Sequence, residues 1–127
     1  MSAPKHHHSP GFLALVDQAK ERIRQIDIDG YQRMLAARDP HLLVDIREDG
    51  EWQAGHAAGA VHLGKGIIER DIEVTVPEKD AKLVLYCGGG YRSALAAEAL
   101  QEMGYTNVIS LDGGWRAYLA AGLPVEK

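Results

Sequence analysis

The sequence contains a single cysteine, Cys87, among 127 residues. One thiol excludes an internal disulfide and any metal site built only from cysteines. Long apolar runs are also missing: the run from Phe12 to Val16 is too short to cross a membrane, and we expect neither a signal peptide nor a membrane partner. We therefore expect a cytoplasmic protein.

Positive charge is not in excess, since 14 Lys and Arg residues face 18 Asp and Glu residues and give a formal net charge of -4. This balance argues against nucleic acid as the main partner. The histidines are scattered without metal-ligand spacing, so we expect no metal site and no cofactor. A hydrophobic content of 46% over this length suits one globular domain with its own core.

The N-terminal residues are polar and contain proline, and we expect residues 1–11 to be disordered. Their run of three histidines, His6 to His8, does not tell whether it is native or part of a tag. The domain is expected over residues 12–127. Its first part, residues 12–26, has apolar residues at helical spacing and predicts an amphipathic helix, packed on the domain or on a partner.

Short apolar runs of strand length alternate with helical patterns along the rest of the chain. Asp29 is the expected cap of the first helix after the N-terminal one. The alternation predicts an α/β domain with a mainly parallel sheet. The predicted strands are 26–28, 42–46, 60–63, 83–86 and 108–111, and the predicted helices are 29–36, 48–54, 67–72, 91–103 and 115–121.

The position of Cys87 points to chemistry. It follows the predicted buried strand 83–86 and precedes Gly88, Gly89 and Gly90, after which a helix starts. Ligands of parallel sheets bind beyond the carboxyl ends of the strands, and the N–H groups of such a loop can converge on an anion. With Arg92 in the first helical turn, the thiol should shift toward the nucleophilic thiolate.

Three other interpretations of this loop stay open. Cys87 could be an inert buried thiol, because free cysteines are often simply buried. Gly88-x-Gly90-x-x-Ser93, with Asp112 further on, approximates a dinucleotide fingerprint, although Ser93 replaces its third small residue. A cysteine phosphatase is the third, with Cys87-x4-Arg92 one residue shorter than the Cys-x5-Arg pattern of that class.

Three stretches together resemble the rhodanese family of sulfurtransferases. The first contains Leu43 to Arg47, Glu51-Trp52 and Gly55 to Ala60; the second is Cys87 to Ser93; the third contains Gly104-Tyr105, Val108 and Gly113-Gly114-Trp115. The tryptophan follows the second glycine directly, which departs slightly from the family pattern. The resemblance covers about residues 26–124.

The resemblance implies a single rhodanese-like domain with a five-stranded, mostly parallel sheet flanked by helices on both faces. It also implies that Cys87 takes sulfur from a small anionic donor such as thiosulfate or a persulfide. The sulfur then passes to cyanide, a thiol or a protein. The implied loop residues are Gly88, Gly89, Gly90, Tyr91, Arg92 and Ser93, and the candidates for the pocket wall are Asp45, Arg47 and His62.

Two expectations depend on what the loop lacks. Relatives that prefer thiosulfate often carry basic residues directly after the cysteine, whereas here glycines follow and Arg92 is the only cation of the loop. We therefore expect weak turnover of that dianion in the absence of other nearby cations. Without a second cysteine, sulfur on Cys87 must leave to an external acceptor.

The alternative function from another class is a sulfur-relay or regulatory binding module with little free turnover. The predicted helix at 12–26 would be its docking surface or an oligomer seam, because it lies outside the resemblance.

Overall fold

The computed structural model describes residues 8–127. Its main feature is a parallel sheet of five strands, as the resemblance implied, so the predicted fold class is confirmed. The cysteine follows the central strand of this sheet. The strands are β1 (Arg24–Ile26), β2 (Leu42–Asp45), β4 (Val61–His62), β5 (Leu83–Tyr86) and β6 (Val108–Leu111), in the order β1-β6-β5-β2-β4.

Helices cover both faces of the sheet. The helices of the described residues are α1 (Pro10–Lys20), α2 (Ile28–Ala36), α3 (Asp49–Ala54), α4 (Ile68–Thr75), α5 (Tyr91–Glu102) and α6 (Gly114–Ala120). Leu83, Leu85 and Cys87 face the core under α4 and α5. Val84 and Tyr86 face the core under α2 and α6. This alternation places the sulfur on the α5 side of the sheet.

The N-terminal helix differs from its predicted limits. It begins at Pro10, inside the segment expected to be disordered, and ends at Lys20. Residues 24–26, predicted to be helical, form strand β1 instead. The first part of the predicted disordered segment, residues 1–7, lies outside the described part of the chain.

Helix α1 packs in cis on α5. Val16 and Ala19 are buried against Ala94 of α5. Polar contacts extend this seam, since Arg22 pairs with Glu98 at 3.2 Å and Gln101 Nε2 donates to the carbonyl of Arg22 at 2.9 Å. The part of the apolar face at Val16 and Ala19, which the sequence offered as a docking surface, is thus occupied by the domain itself, whereas Leu15 on the same helix is exposed.

Other elements follow the predicted pattern with small shifts. Asp27, not Asp29, caps α2, its carboxylate accepting from Gly30 N at 2.7 Å. A short antiparallel pair, β3 (His56–Ala57) with β7 (Val125–Glu126), escaped prediction because two-residue strands leave no periodicity to detect. Within residues 8–127, no helix is both long and apolar enough to span a membrane.

Candidate active site

Cys87 lies at the carboxyl edge of the sheet, directly after β5. The residue is only 1% exposed, yet it lines a cavity of about 480 Å³ that the neighbouring loop and helices surround. The thiol is therefore shielded from bulk water but borders a space that a small molecule could occupy. This matches the strand-end position expected for a ligand of a parallel sheet.

Hydrogen-bond donors converge on the sulfur. Gly90 N donates to Cys87 Sγ at 3.1 Å and Ser93 N donates at 3.4 Å, both from the start of α5. The Ser93 hydroxyl lies 3.6 Å from the same sulfur. The N–H groups belong to a helix N-terminus, where they have no partner within the helix, and they favour a negative charge on the sulfur.

Glycine is required at two positions that hold this arrangement. Gly90 has a φ of +100°, a left-handed conformation, and its N–H points at the sulfur. Gly114, with a φ of +51°, approaches the loop so closely that a Cβ there would lie 2.3 Å from the Cys87 carbonyl oxygen. That carbonyl accepts from Trp115 N at 2.7 Å, which ties the loop to α6.

The pKa of the Cys87 thiol lies below its ordinary value. Burial alone would raise this pKa, but hydrogen bonds from the Ser93 hydroxyl and from the N–H groups of Ser93, Gly89 and Gly90 outweigh it. Gly88 is not among these donors; its carbonyl accepts a hydrogen bond from Arg116 N at 3.2 Å, which ties the loop to α6. The expected shift toward thiolate thus has a physical basis in donors at the start of α5.

Ser110, which the sequence analysis did not single out, forms a hydrogen bond with Ser93. Ser93 Oγ and Ser110 Oγ lie 2.8 Å apart, and both residues are fully buried. When Ser93 donates its proton to a thiolate, its oxygen can accept from the Ser110 hydroxyl. Ser110 is on β6, paired in register with Leu85 of β5. The sheet therefore positions a donor that orients Ser93.

Arg92 lines the cavity together with a carboxylate. Its Nη1 and Nη2 donate to the two carboxylate oxygens of Glu51 at 2.9 and 3.3 Å. The pair raises the pKa of Arg92 and lowers that of Glu51. The negative charge of an ionised Cys87 also favours the protonated form of Arg92. Glu51 thus offsets part of the positive charge that the sequence assigned to this loop.

A second arginine in the cavity wall was missed by sequence reasoning. Arg116, on α6, lines the same cavity, and a Cβ at Gly89 would lie 2.1 Å from its Nη2. Arg92 is therefore not the only cation that lines the cavity of the cysteine. Weak turnover of thiosulfate was expected only in the absence of other nearby cations, and Arg116 is such a cation. Arg116 follows a different strand from the cysteine, so no local motif joins the two.

Aromatic side chains form the remaining part of the wall. Tyr91, the first residue of α5, lines the cavity beside the loop. Phe12 of α1 and the preceding His8 line it as well, with ring centroids 6.3 Å and 4.6 Å from that of Tyr91. The sequence predicted a helix around Phe12 but gave no sign of where it packs.

Asp45 and Arg47 do not line this cavity, which corrects their assignment to its wall. Both are buried, and Arg47 donates to Asp45 through Nε at 3.1 Å and Nη2 at 2.8 Å. The Tyr86 hydroxyl donates to the same carboxylate at 2.5 Å, and Arg47 Nη2 donates to Gly55 O at 2.7 Å. The guanidinium lies 4.6 Å from the Trp115 ring. These contacts brace β2, β5 and α6 beneath the site.

His62 is also absent from the cavity wall, which corrects the third candidate. Its Nε2 donates to the carbonyl of Arg47 at 2.8 Å, and its ring stacks on Trp52 with centroids 4.9 Å apart. His56 stacks on the same indole at 3.4 Å. In residues 8–127, no group of three His, Cys, Asp or Glu side chains is arranged to hold a metal ion.

Comparison with known proteins agrees with this geometry. The family model of the rhodanese-like domain matches residues 27–121. The chain belongs to the rhodanese-like domain family. It is 36% identical over 101 residues to the thiosulfate sulfurtransferase GlpE of Vibrio cholerae serotype O1, covering 80% of this chain and 92% of the relative. It is 35% identical to a sulfurtransferase of Allochromatium vinosum, covering 81% and 94%.

One solved structure extends the likeness of this rhodanese-like domain to the N-terminal helix. A protein of unknown function from Rhodopseudomonas palustris, described as a possible tyrosine phosphatase, superimposes with a TM-score of 0.84 at 30% identity. The match covers 98% of this chain and 100% of the other. By contrast, the family model begins at residue 27, so Phe12 and the rest of α1 lie outside it.

Proposed function

We propose that Cys87 carries sulfane sulfur as a persulfide between a small anionic donor and an external acceptor. The observation that carries this proposal is the convergence of Gly90 N, Ser93 N and the Ser93 hydroxyl on a sulfur that borders the cavity. The prediction of a rhodanese-type sulfurtransferase is confirmed as a reaction class, because the chain shares the family and covers nearly the whole of relatives named for this activity.

The first half-reaction needs no acid or base if the thiol is already ionised. The Cys87 thiolate attacks the outer sulfur of the donor, a new S–S bond forms, and the donor's S–S bond breaks. With thiosulfate, the bonding electron pair leaves on sulfite. The product is a Cys87 persulfide anion, and the same N–H groups and hydroxyl that stabilise the thiolate are placed to stabilise it.

The second half-reaction returns the enzyme to its starting state. A nucleophilic acceptor, cyanide or a thiolate, attacks the terminal sulfur of the persulfide, whose S–S bond breaks as the electron pair returns to Cys87. Cyanide leaves as thiocyanate and a thiol leaves as its own persulfide. Because the sequence holds no second cysteine, no internal disulfide competes with this transfer.

Roles for the loop follow from the contacts around it. Ser93 and Gly90 hold the sulfur anion. Arg92 and Arg116 attract an anionic donor to the cavity. Tyr91 forms part of the cavity wall. The remaining loop residues, Gly88 and Gly89, leave room for the two guanidinium groups, because a Cβ at Gly88 would contact Nη2 of Arg92 and a Cβ at Gly89 would contact Nη2 of Arg116.

Mass spectrometry tests the proposal most simply. The protein is incubated with thiosulfate or glutathione persulfide, then washed and digested. We expect one added sulfur on the peptide containing Cys87, removed by cyanide with release of thiocyanate. The Cys87→Ser variant should gain no sulfur. A sulfur adduct elsewhere, or none with either donor, would contradict the assignment.

The sulfur-relay function is the second candidate, supported by the burial of Cys87, since a residue that is 1% exposed has little access to free donors in solution. A relay would load Cys87 from a partner protein and show little turnover with free donors. Steady-state thiocyanate production therefore separates the two: multiple turnovers with small donors support the enzyme, and loading that occurs only beside a partner protein supports the relay.

The structural likeness to a possible tyrosine phosphatase gives a reason to test hydrolysis as well. The tighter Cys87-x4-Arg92 loop and the engagement of Arg92 by Glu51 argue against a phosphoryl group here. We expect no hydrolysis of an aryl phosphate. Hydrolysis that disappears in Cys87→Ser would favour the phosphatase.

A further inference from the structure

The wall of the Cys87 cavity includes side chains from outside the family match. His8 and Phe12 precede residue 27, where that match begins, yet both line the cavity beside Tyr91. The three rings form a connected cluster, with centroid distances of 5.2 Å for His8–Phe12, 4.6 Å for His8–Tyr91 and 6.3 Å for Phe12–Tyr91. We refer to these three residues as the aromatic wall.

The packing of α1 fixes the aromatic wall in place. Val16 and Ala19 are buried against α5, and Phe12 and Tyr91 pack against the same cluster. Lys20 Nζ lies 5.0 Å from the centroid of the Tyr91 ring, within the range of a cation–π contact. The rings are therefore held before a ligand arrives, so ordering them adds little cost to binding.

The charged part of the cavity is less suited to a small dianion than the number of arginines suggests. Glu51 lines the cavity and accepts two hydrogen bonds from Arg92, so a carboxylate already compensates this guanidinium. A doubly charged donor would approach that carboxylate as well as the arginines. A singly charged donor meets less repulsion there.

The cavity is also much larger than thiosulfate requires. Its volume of about 480 Å³ falls in the range of sites that enclose organic ligands, where apolar and aromatic walls supply contact area and a few polar groups fix orientation. Thiosulfate would leave the aromatic wall facing water. A donor with a flat apolar group would cover it.

We propose that α1 makes this site selective for organic thiosulfonates, R–SO₂–S⁻, whose R group is flat and apolar. The inference rests on the proposed function. The Cys87 thiolate attacks the terminal sulfur, the donor's S–S bond breaks, and the electron pair leaves on the sulfinate R–SO₂⁻. The reaction yields the same Cys87 persulfide, and no oxidant, reductant or proton is needed. The R group lies against Phe12 and Tyr91.

The test compares benzenethiosulfonate with methanethiosulfonate, which share the reacting group and the charge and differ in the ring. With cyanide as acceptor, kcat/KM is measured for both donors and for thiosulfate. The ratio for the benzene and methane donors is then compared between wild type and variants, so the intrinsic reactivities of the donors cancel. We expect Phe12→Ala to lower this ratio about fivefold, mainly through KM, the size of one lost aromatic contact.

Two further variants keep the test independent of folding. Leu15→Ala truncates a 57% exposed residue on the same helix that is not part of the cavity wall, and its ratio should equal that of wild type. Phe12→Leu keeps apolar bulk in the α1 seam but removes the flat ring, and its ratio should fall between those of wild type and Phe12→Ala. Thermal melting followed by circular dichroism confirms that each variant is folded.

The outcomes separate this inference from the proposed function. A wild-type protein that forms persulfide with thiosulfate but shows the same benzene-to-methane ratio in Phe12→Ala overturns the role of the aromatic wall alone. If the benzene-to-methane ratio of kcat/KM falls equally in Phe12→Ala and Leu15→Ala, the role of the aromatic wall is also overturned, because the two falls would then reflect a loosened helix. Failure to form a Cys87 persulfide with any of the three donors overturns the proposed function itself.

Discussion

Two arginine–carboxylate pairs lie close to the carboxyl ends of the neighbouring strands β2 and β5, and they differ in what surrounds them. The side chains of Arg47 and Asp45 are 4% and 0% exposed, whereas those of Arg92 and Glu51 are 32% and 39% exposed. The first pair is enclosed by aromatic rings and backbone; the second borders the cavity. Similar residues thus serve as a brace in one place and as part of a binding wall in the other.

The difference shows how burial decides the role of an ion pair. A fully enclosed pair cannot meet a ligand, and removing one partner leaves an uncompensated charge in the interior. A partly exposed pair contributes little to stability, since water screens it, but its charges remain within reach of a donor. The following predictions test the role of the Cys87 sulfur in the reaction and the different roles of the two ion pairs.

The largest effect is expected for the sulfur itself. Cys87→Ser should abolish persulfide formation and thiocyanate release, since a serine hydroxyl is not ionised at neutral pH and cannot hold sulfane sulfur. The fold should persist, because the replacement is close in size. Activity assays with thermal melting as the control measure both; residual turnover in the variant would remove Cys87 from the reaction.

Breaking the enclosed pair should affect stability first. Arg47→Ala leaves the Asp45 carboxylate buried with fewer donors, and we expect a loss of about 3 kcal/mol in the free energy of unfolding. Urea titration monitored by tryptophan fluorescence measures it. A loss below about 0.5 kcal/mol would mean that this pair does not brace the strands.

Breaking the partly exposed pair should affect the reaction first. Arg92→Ala is expected to lower kcat/KM for thiosulfate about tenfold, the loss of one cation close to the sulfur and the donor. Its cost in unfolding free energy should stay within about 1 kcal/mol. Unchanged kinetics with a large loss of stability would assign Arg92 to the same structural class as Arg47.

The smallest effect is expected at the carboxylate of the second pair. Glu51→Gln keeps the hydrogen bond that caps α3, because an amide oxygen can still accept from Glu48 N, but it removes the negative charge. We expect kcat/KM for thiosulfate to rise about threefold, since Arg92 is then less compensated. A fall in kcat/KM would show that Glu51 holds Arg92 in a productive position.

The sequence was sufficient for the parts of the molecule that rest on local signals. The strand Leu83–Tyr86 and the strand Val108–Leu111 have the limits that were predicted, and the cysteine loop follows the first of them. An uninterrupted apolar run ended by glycines determines both a buried strand and the turn after it.

Contacts between distant residues could not be predicted in this way. Glu51 meets Arg92 across 41 positions, and Phe12 meets Tyr91 through the docking of a whole helix. The limit of α1 was wrong because the helical spacing of apolar residues continues by coincidence to Ile26, which lies in a strand. The spacing of apolar residues indicates which residues are buried, but it does not indicate whether a given residue belongs to the helix or to the strand that follows it.

The most direct measurement is the rate of Cys87 alkylation by iodoacetamide as a function of pH. The rate should rise as the thiol ionises and level off above its pKa. Because donors from Gly90 and Ser93 outweigh the effect of burial, we predict a midpoint below the ~8.5 of an ordinary thiol. A midpoint at or above that value would contradict the claim that these donors hold an anionic sulfur.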